Sequence, residues 1–214
     1  MNRLFRRLTM KRILLLSFIL LFAHSSFAAT EGKFIQKDNM FPRVEIVTTL
    51  GSIVVEMDRS RAPITVNNFL TYVADGSYQG SVFHRVERDE DNERDFVIQG
   101  GGYDKDYDGL HENDPIFNES GNGLKNDMYS IAMAYQDRKP HSGTRQFFFN
   151  MDDNDHLNPG RDWGFAVFGM VMDGYETLDK IMRVETAFNE KIGYSFVPKT
   201  PVVILNVKVL EANQ

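Results

Sequence analysis

The chain contains no cysteine and only one tryptophan in 214 residues. Without cysteine there is no disulfide framework and no thiol nucleophile. Its five histidines lack a paired metal spacing such as H-x-x-x-H. Neither a G-x-S-x-G elbow nor a phosphate-binding loop is present. Internal repeats and low-complexity linkers are missing too, so a second domain is not expected. Basic charge is scarce: beyond Ala28 there are 19 basic and 30 acidic residues, a net −11 with neutral histidines. That balance argues against nucleic acid or anionic lipid as a partner.

Long apolar runs are also absent, with one exception. Ile13–Ala23 follows Arg3, Arg6, Arg7, Lys11 and Arg12, with no acidic residue before it. The run is too short to span a bilayer comfortably. With small residues at Ser26 and Ala28, residues 1–28 read as a secretory signal peptide cleaved after Ala28. An uncleaved N-terminal anchor is the alternative. Residues 29–214 then form one domain, large enough to bury a core. A thiol-free exported chain suits an oxidising periplasm, so the expectation is a periplasmic monomer off the membrane once processed.

The element pattern beyond the leader is mainly β. Val44–Thr48 and Ser52–Met57 read as a hairpin, and Ser81–Glu87 with Asp95–Gly100 as a second. Tyr129–Ala134, Arg145–Phe149, Phe165–Met172 and Val202–Leu210 are further strands. Val66, Phe69, Leu70 and Val73 recur at helical spacing, as do Tyr175, Leu178, Ile181 and Met182. Two helices among many strands, without βαβ alternation, predict an antiparallel architecture. The pattern alone leaves sandwich and closed barrel open.

The second hairpin carries the chemistry. Alternation puts Phe83 and Arg85 on one face of the first strand, with His84 and Val86 on the other. In the second strand Phe96 and Ile98 share a face, as do Val97 and Gln99. An arginine and a glutamine on facing strands beside apolar residues make a small binding or catalytic site. The sequence Phe83-His84-Arg85-Val86, followed by Phe96-x-Ile98-Gln99-Gly100-Gly101, resembles the core motif of the cyclophilin-type peptidyl-prolyl cis-trans isomerases. Tyr129–Ala134, Gln146-Phe147-Phe148 and Val167-Phe168-Gly169 resemble three further family motifs, in the family's order.

The resemblance implies a closed eight-stranded antiparallel barrel capped by two α-helices. It implies Arg85 and Gln99 as catalytic residues, the glutamine orienting the arginine and contacting the substrate backbone. Phe96, Val97, Phe148, Leu157 and Phe165 then line the proline pocket, while Ala134, Tyr135 and Gln146 border the extended peptide. Met133 is implied to be barrel packing. The implied partner is a proline-containing segment of a folding protein, and no cofactor is needed, because no bond is made or broken. A non-catalytic proline-peptide binder using the same groove is the rival. His156 replaces a tryptophan that binds cyclosporin in many eukaryotic members, so weak cyclosporin binding is expected.

Two features stand outside that pattern, and the glycine run within it has its own reading. Glu87–Asp95 is a charged insertion between the catalytic strands, either a solvated tip or a screen against acidic peptides. Asp104-Lys-Asp106-Tyr-Asp108-Gly109 opens like a calcium loop, but Pro115 stands where a bidentate glutamate belongs. It reads as a polar surface loop, with a calcium-dependent interaction protein as the competing reading, and no metal is expected. Gly100-Gly101-Gly102 reads as a strand terminus that needs backbone freedom.

Overall fold

The structure, a computed structural model, describes residues 31–89 and 94–212. The expected leader therefore lies outside the described residues, as do Glu90–Glu93 of the charged insertion. The first strands are β1 (Arg43–Thr48) and β2 (Gly51–Met57), then β3 (Ser81–Asp89) and β4 (Arg94–Asp104). The remainder are β5 (Ser130–Met133), β6 (Phe147–Asn150), β7 (Ala166–Asp173), β8 (Thr186–Asn189), β9 (Tyr194–Pro198) and β10 (Val202–Val209). Helix α1 spans Pro63–Ala74 and α2 spans Tyr175–Met182.

Eight strands close into a barrel in the order β1-β10-β3-β4-β6-β5-β7-β2, all pairs antiparallel. Closure gives each of them two neighbours and leaves no open edge among them. The interior is filled by Val44, Ile46, Ile53, Val55, Phe83, Ile98, Phe147, Phe149, Phe168 and Ile204 with their neighbours, nearly all without solvent exposure. Phe69 from α1 meets Phe147 edge-on at 5.4 Å, tying the helix to this core. Proline at the first turn presets the backbone of α1, and Ala62 offers no side chain to cap it. Glu119 does so from the long loop between β4 and β5, accepting from the amides of Ile64 and Thr65 at 3.1 and 2.8 Å.

The expected barrel and both helices are present, with three corrections. First, the β3–β4 pairing shifts register three times, twice between Phe83 and Arg88, where the shifts overturn strict alternation. Phe83 pairs with Gly100 and Arg85 with Gln99, so His84 is an extra residue on β3. This bulge puts both His84 and Arg85 outside, while Phe83 and Val86 both reach the core. Glu87 pairs with Val97 and Arg88 with Asp95, so Phe96 is extra on β4. Phe96 therefore joins Val97 on the outer face and not Ile98 inside.

Second, β4 continues to Asp104, so the three glycines are mid-strand. A Cβ on Gly100 would lie 2.6 Å from the Phe83 ring, and one on Gly102 would lie 2.5 Å from the Gln146 side chain. Gly101 has φ +89°, which a side chain would disfavour. Third, β8 and β9 form a separate two-stranded sheet that the pattern did not reveal. Their burial is slight and irregular, with Phe188 62% exposed, so no periodic apolar face marks them.

This hairpin lies against the bulge. His84 is fully buried, its ring 4.8 Å from Tyr103 and 6.0 Å from Tyr194. Among the described residues neither ring nitrogen has a directed hydrogen bond, although the nearby Val82 backbone favours the proton. Burial dominates and lowers the pKa from 6.5 to about 4. The unfolded chain thus binds more protons than the folded one between those values, and stability rises with pH across that window. The contribution, roughly 3 kcal/mol, is complete above pH 6.5 and lost as pH falls through 4. Urea midpoints from pH 7 to 4.5 should therefore fall more steeply for the native chain than for His84→Phe. Parallel profiles would contradict this account of the imidazole.

Candidate active site

Outward-facing residues of four neighbouring strands build a second apolar cluster on the barrel wall. Val97 comes from β4, Phe148 from β6, Ala132 from β5 and Val167 from β7, each no more than 5% exposed. Phe148 faces out because its neighbours Phe147 and Phe149 face in. Phe96 of β4, Leu157 of a 3-10 turn and Leu124, Ala134 and Phe165 from the connecting segments supply the rim, packing partly buried against this floor. Phe165 meets Phe148 edge-on at 5.2 Å, and Tyr135 stacks on Phe165 at 4.4 Å. His156, in the 3-10 turn Asp155–Leu157, stacks on Phe96 at 5.4 Å.

Polar groups stand along one side of this cluster. Arg85 faces Gln99 in the β3–β4 register, and Gln99 faces Phe148 across β4–β6. Gln99 Nε2 donates to Gln146 Oε1 at 2.9 Å. Gln146 in turn lies over Gly102, which has no side chain to displace it. The Arg85 guanidinium has other partners: Nη2 lies 2.6 Å from Glu87 Oε2, and the group sits 5.9 Å from the ring centroid of Tyr194, which lines the cleft beside Gln99. Gln99 therefore engages Gln146, and Glu87 holds the arginine, where the resemblance had implied the glutamine. A polar cleft of about 100 Å³ adjoins them, lined by Gln99, Gln146, Thr144, Ser142, Tyr135 and Tyr194.

Buried asparagines fix the rim. Asn154 Nδ2 donates to the Phe96 carbonyl at 3.1 Å and to Asn150 Oδ1 at 2.8 Å. Asn150 donates to Asn126 and Ser130, and Asn126 to Asn158. Such a satisfied network rigidifies the Phe96 bulge of β4 and the turn that carries Leu157. Arg145, 2% exposed, donates to the carbonyls of His111 and Ser77 at 2.7 and 2.6 Å. It pins the long loop beside the cleft, and burial lowers its pKa.

All ten residues expected at the site meet on this wall: Arg85, Gln99, Phe96, Val97, Ala134, Tyr135, Gln146, Phe148, Leu157 and Phe165. Sequence reasoning missed Ala132, Val167 and Leu124 in the cluster and Tyr194 beside the arginine; it named Glu87 as the start of the charged insertion but not as the partner of Arg85. The outward phase of Val97 and Phe148 pointed to Ala132 and Val167. No local signal marks Tyr194, which arrives on the unforeseen hairpin. A larger cleft of about 330 Å³ lies between Phe41, Asp58, Lys125 and Met170; Arg43 and Arg61 stand at its margin, each paired with an acidic lining residue, Glu56 and Asp58.

The acidic loop after β4 is internally satisfied. Asp104 Oδ1 accepts from the amides of Asp106 and Asp108, both at 2.9 Å. Asp106 pairs with Lys105 and Asp108 with Lys191, each at 2.7 Å. Among the described residues no group of three or more histidine, aspartate or glutamate side chains could hold a metal ion. Calcium and chelator should each leave the melting temperature unchanged, whereas a bound ion at a hundredfold excess over Kd adds about 2.7 kcal/mol. A calcium-dependent rise in melting temperature would revive the loop as a metal site.

Comparison with known proteins agrees with this geometry. Residues 43–209 match the family model for cyclophilin-type peptidyl-prolyl cis-trans isomerases. A peptidyl-prolyl cis-trans isomerase of Streptomyces antibioticus is 45% identical over 171 residues, 78% of this chain and 98% of that protein. Peptidyl-prolyl cis-trans isomerase B of Escherichia coli is 41% identical, covering 77% of this chain and 97% of its own length. A cyclophilin-type isomerase of Cryptosporidium parvum, crystallised in the presence of the dipeptide Ala-Pro, superposes with a TM-score of 0.63 at 26% identity. That match covers 80% of this chain and 99% of the other. The chain belongs to the cyclophilin-type peptidyl-prolyl cis-trans isomerase family.

Proposed function

We propose that the outer-face cluster receives the proline ring of an X–Pro segment and that Arg85 and Gln99 act on the peptide beside it. The observation that carries this reading is the meeting of Arg85, Gln99 and Gln146 at the edge of the apolar floor formed by Val97 and Phe148. Rotation about an X–Pro bond crosses roughly 18–20 kcal/mol because amide resonance stiffens it. A guanidinium donor aimed at the prolyl nitrogen localises its lone pair and weakens that resonance. Apolar walls strengthen the interaction by excluding water. Gln99 and Gln146 offer amide groups to the peptide backbone, which holds one side of the bond while the other turns. No covalent step occurs, so no cofactor enters.

The substrates we propose are proline-containing segments of exported proteins as they fold. The basic, acid-free leader and the absence of cysteine support that setting. A protease-coupled assay on a short Ala-Pro peptide tests the activity, and fractionation of cells producing the full chain tests the compartment. Acceleration over the uncatalysed rate and recovery in the periplasmic fraction are expected. Peptide binding without acceleration would favour a non-catalytic binder. Recovery with the cytoplasm would overturn the exported setting alone.

A further inference from the structure

We propose that Glu87 is a positioning residue for this reaction: its carboxylate tethers the Arg85 guanidinium at the groove and cancels its charge toward acidic peptides. The inference rests on the role given above to Arg85. The β3 bulge turns Arg85 outward, Val86 is buried inward, and Glu87 faces outward again. Arg85 and Glu87 are thus successive outward side chains, and Arg85 Nη2 lies 2.6 Å from Glu87 Oε2.

An exposed ion pair of this kind would count for little. This one is not fully exposed. The Glu87 side chain is 20% accessible, and Oε2 is a buried atom with no directed hydrogen bond among the described residues. Arg85 is then its compensating cation by close charge contact. A carboxylate oxygen removed from water and left unpaired is costly, so the guanidinium cannot swing away freely. Tyr194 lies near the same group, its ring centroid 5.9 Å from the guanidinium carbon. An arginine carries about 2 kcal/mol of rotamer entropy. Restraint through Nη2 removes part of it before substrate arrives. The other guanidinium donors remain to meet the peptide.

The pair also sets selectivity. A lone guanidinium at the groove would attract acidic peptides; one paired with Glu87 presents no net charge.

Four variants test this: Glu87→Gln, Glu87→Asp, Arg85→Ala and the Arg85→Ala/Glu87→Gln double variant. Each is assayed at high enzyme concentration on Ala-Pro, Glu-Pro and Lys-Pro peptides at low salt, with far-UV spectra and melting temperatures as controls. Glu87→Gln should lower kcat on the Ala-Pro peptide about tenfold, less than loss of a donor outright, with KM nearly unchanged. It should raise the ratio of kcat/KM for Glu-Pro over Lys-Pro, and Glu87→Asp should restore much of both. In the Arg85→Ala background Glu87→Gln should change neither quantity, because its effect passes through the arginine. Unchanged kcat and unchanged peptide preference in Glu87→Gln would overturn the proposal while leaving the role of Arg85 intact. Equal losses from Glu87→Gln in both backgrounds would also overturn it. Full activity in Arg85→Ala would instead remove the reading on which it rests.

Discussion

Replacing Arg85 with alanine is expected to lower kcat/KM on an Ala-Pro peptide by roughly 10²–10³, the usual cost of losing a preorganised electrostatic donor. The fold should survive, because the side chain is 31% exposed on the outside of the barrel. It holds no core position, and the neighbouring Phe83 and Val86 stay buried without it. Some stability should still be lost, since Glu87 Oε2 would be left without its cation. Arg85→Lys should recover little activity. Lysine keeps the charge but not the planar fork, and its compact ammonium is more strongly hydrated. Wild-type activity in Arg85→Ala with an unchanged far-UV spectrum would show that the arginine is not the acting group.

Phe148→Ala is the second large effect. The ring is 4% exposed and forms the floor on which Phe165 stands edge-on. A buried Phe→Ala change costs roughly 3–5 kcal/mol where the site does not collapse, and that is a large share of a typical domain's 5–15 kcal/mol. The account requires a second consequence, a rise in KM per folded molecule, because the same floor is proposed to receive the proline ring. Phe149→Ala is the control: its side chain is wholly inside the barrel. It should lose comparable stability without the change in KM. If catalysis per folded Phe148→Ala molecule equals wild type, Phe148 is packing alone.

The sequence announced most of this wall, for a physical reason. Phe147, Phe148 and Phe149 occupy consecutive strand positions, so one of the three must face opposite to the other two. The motif around Arg85 and Gln99 places both at facing register positions. What periodicity could not supply was phase through a bulge. His84 and Phe96 each insert one residue, and each reverses the faces read from alternation. The triple glycine is legible only once Phe83 and Gln146 are seen packed over it. Tyr194 and Glu87 were hidden differently. Their importance depends on which groups fold beside the arginine, and the β8–β9 hairpin has too little buried apolar surface to announce itself.

The central claim is that the isomerase works on the outer wall of the barrel between Arg85 and Phe165. Amide chemical-shift mapping with an added Ala-Pro peptide tests it most directly. The account predicts that the strongest shifts and exchange broadening fall on Arg85, Val97–Gln99, Ala132–Tyr135, Gln146–Phe149 and Phe165. Resonances of the Asp104–Gly109 loop should stay nearly still. Shifts confined to Phe41, Asp58, Lys125 and Met170 around the larger cleft, with the Arg85 and Phe148 amides unmoved, would contradict it.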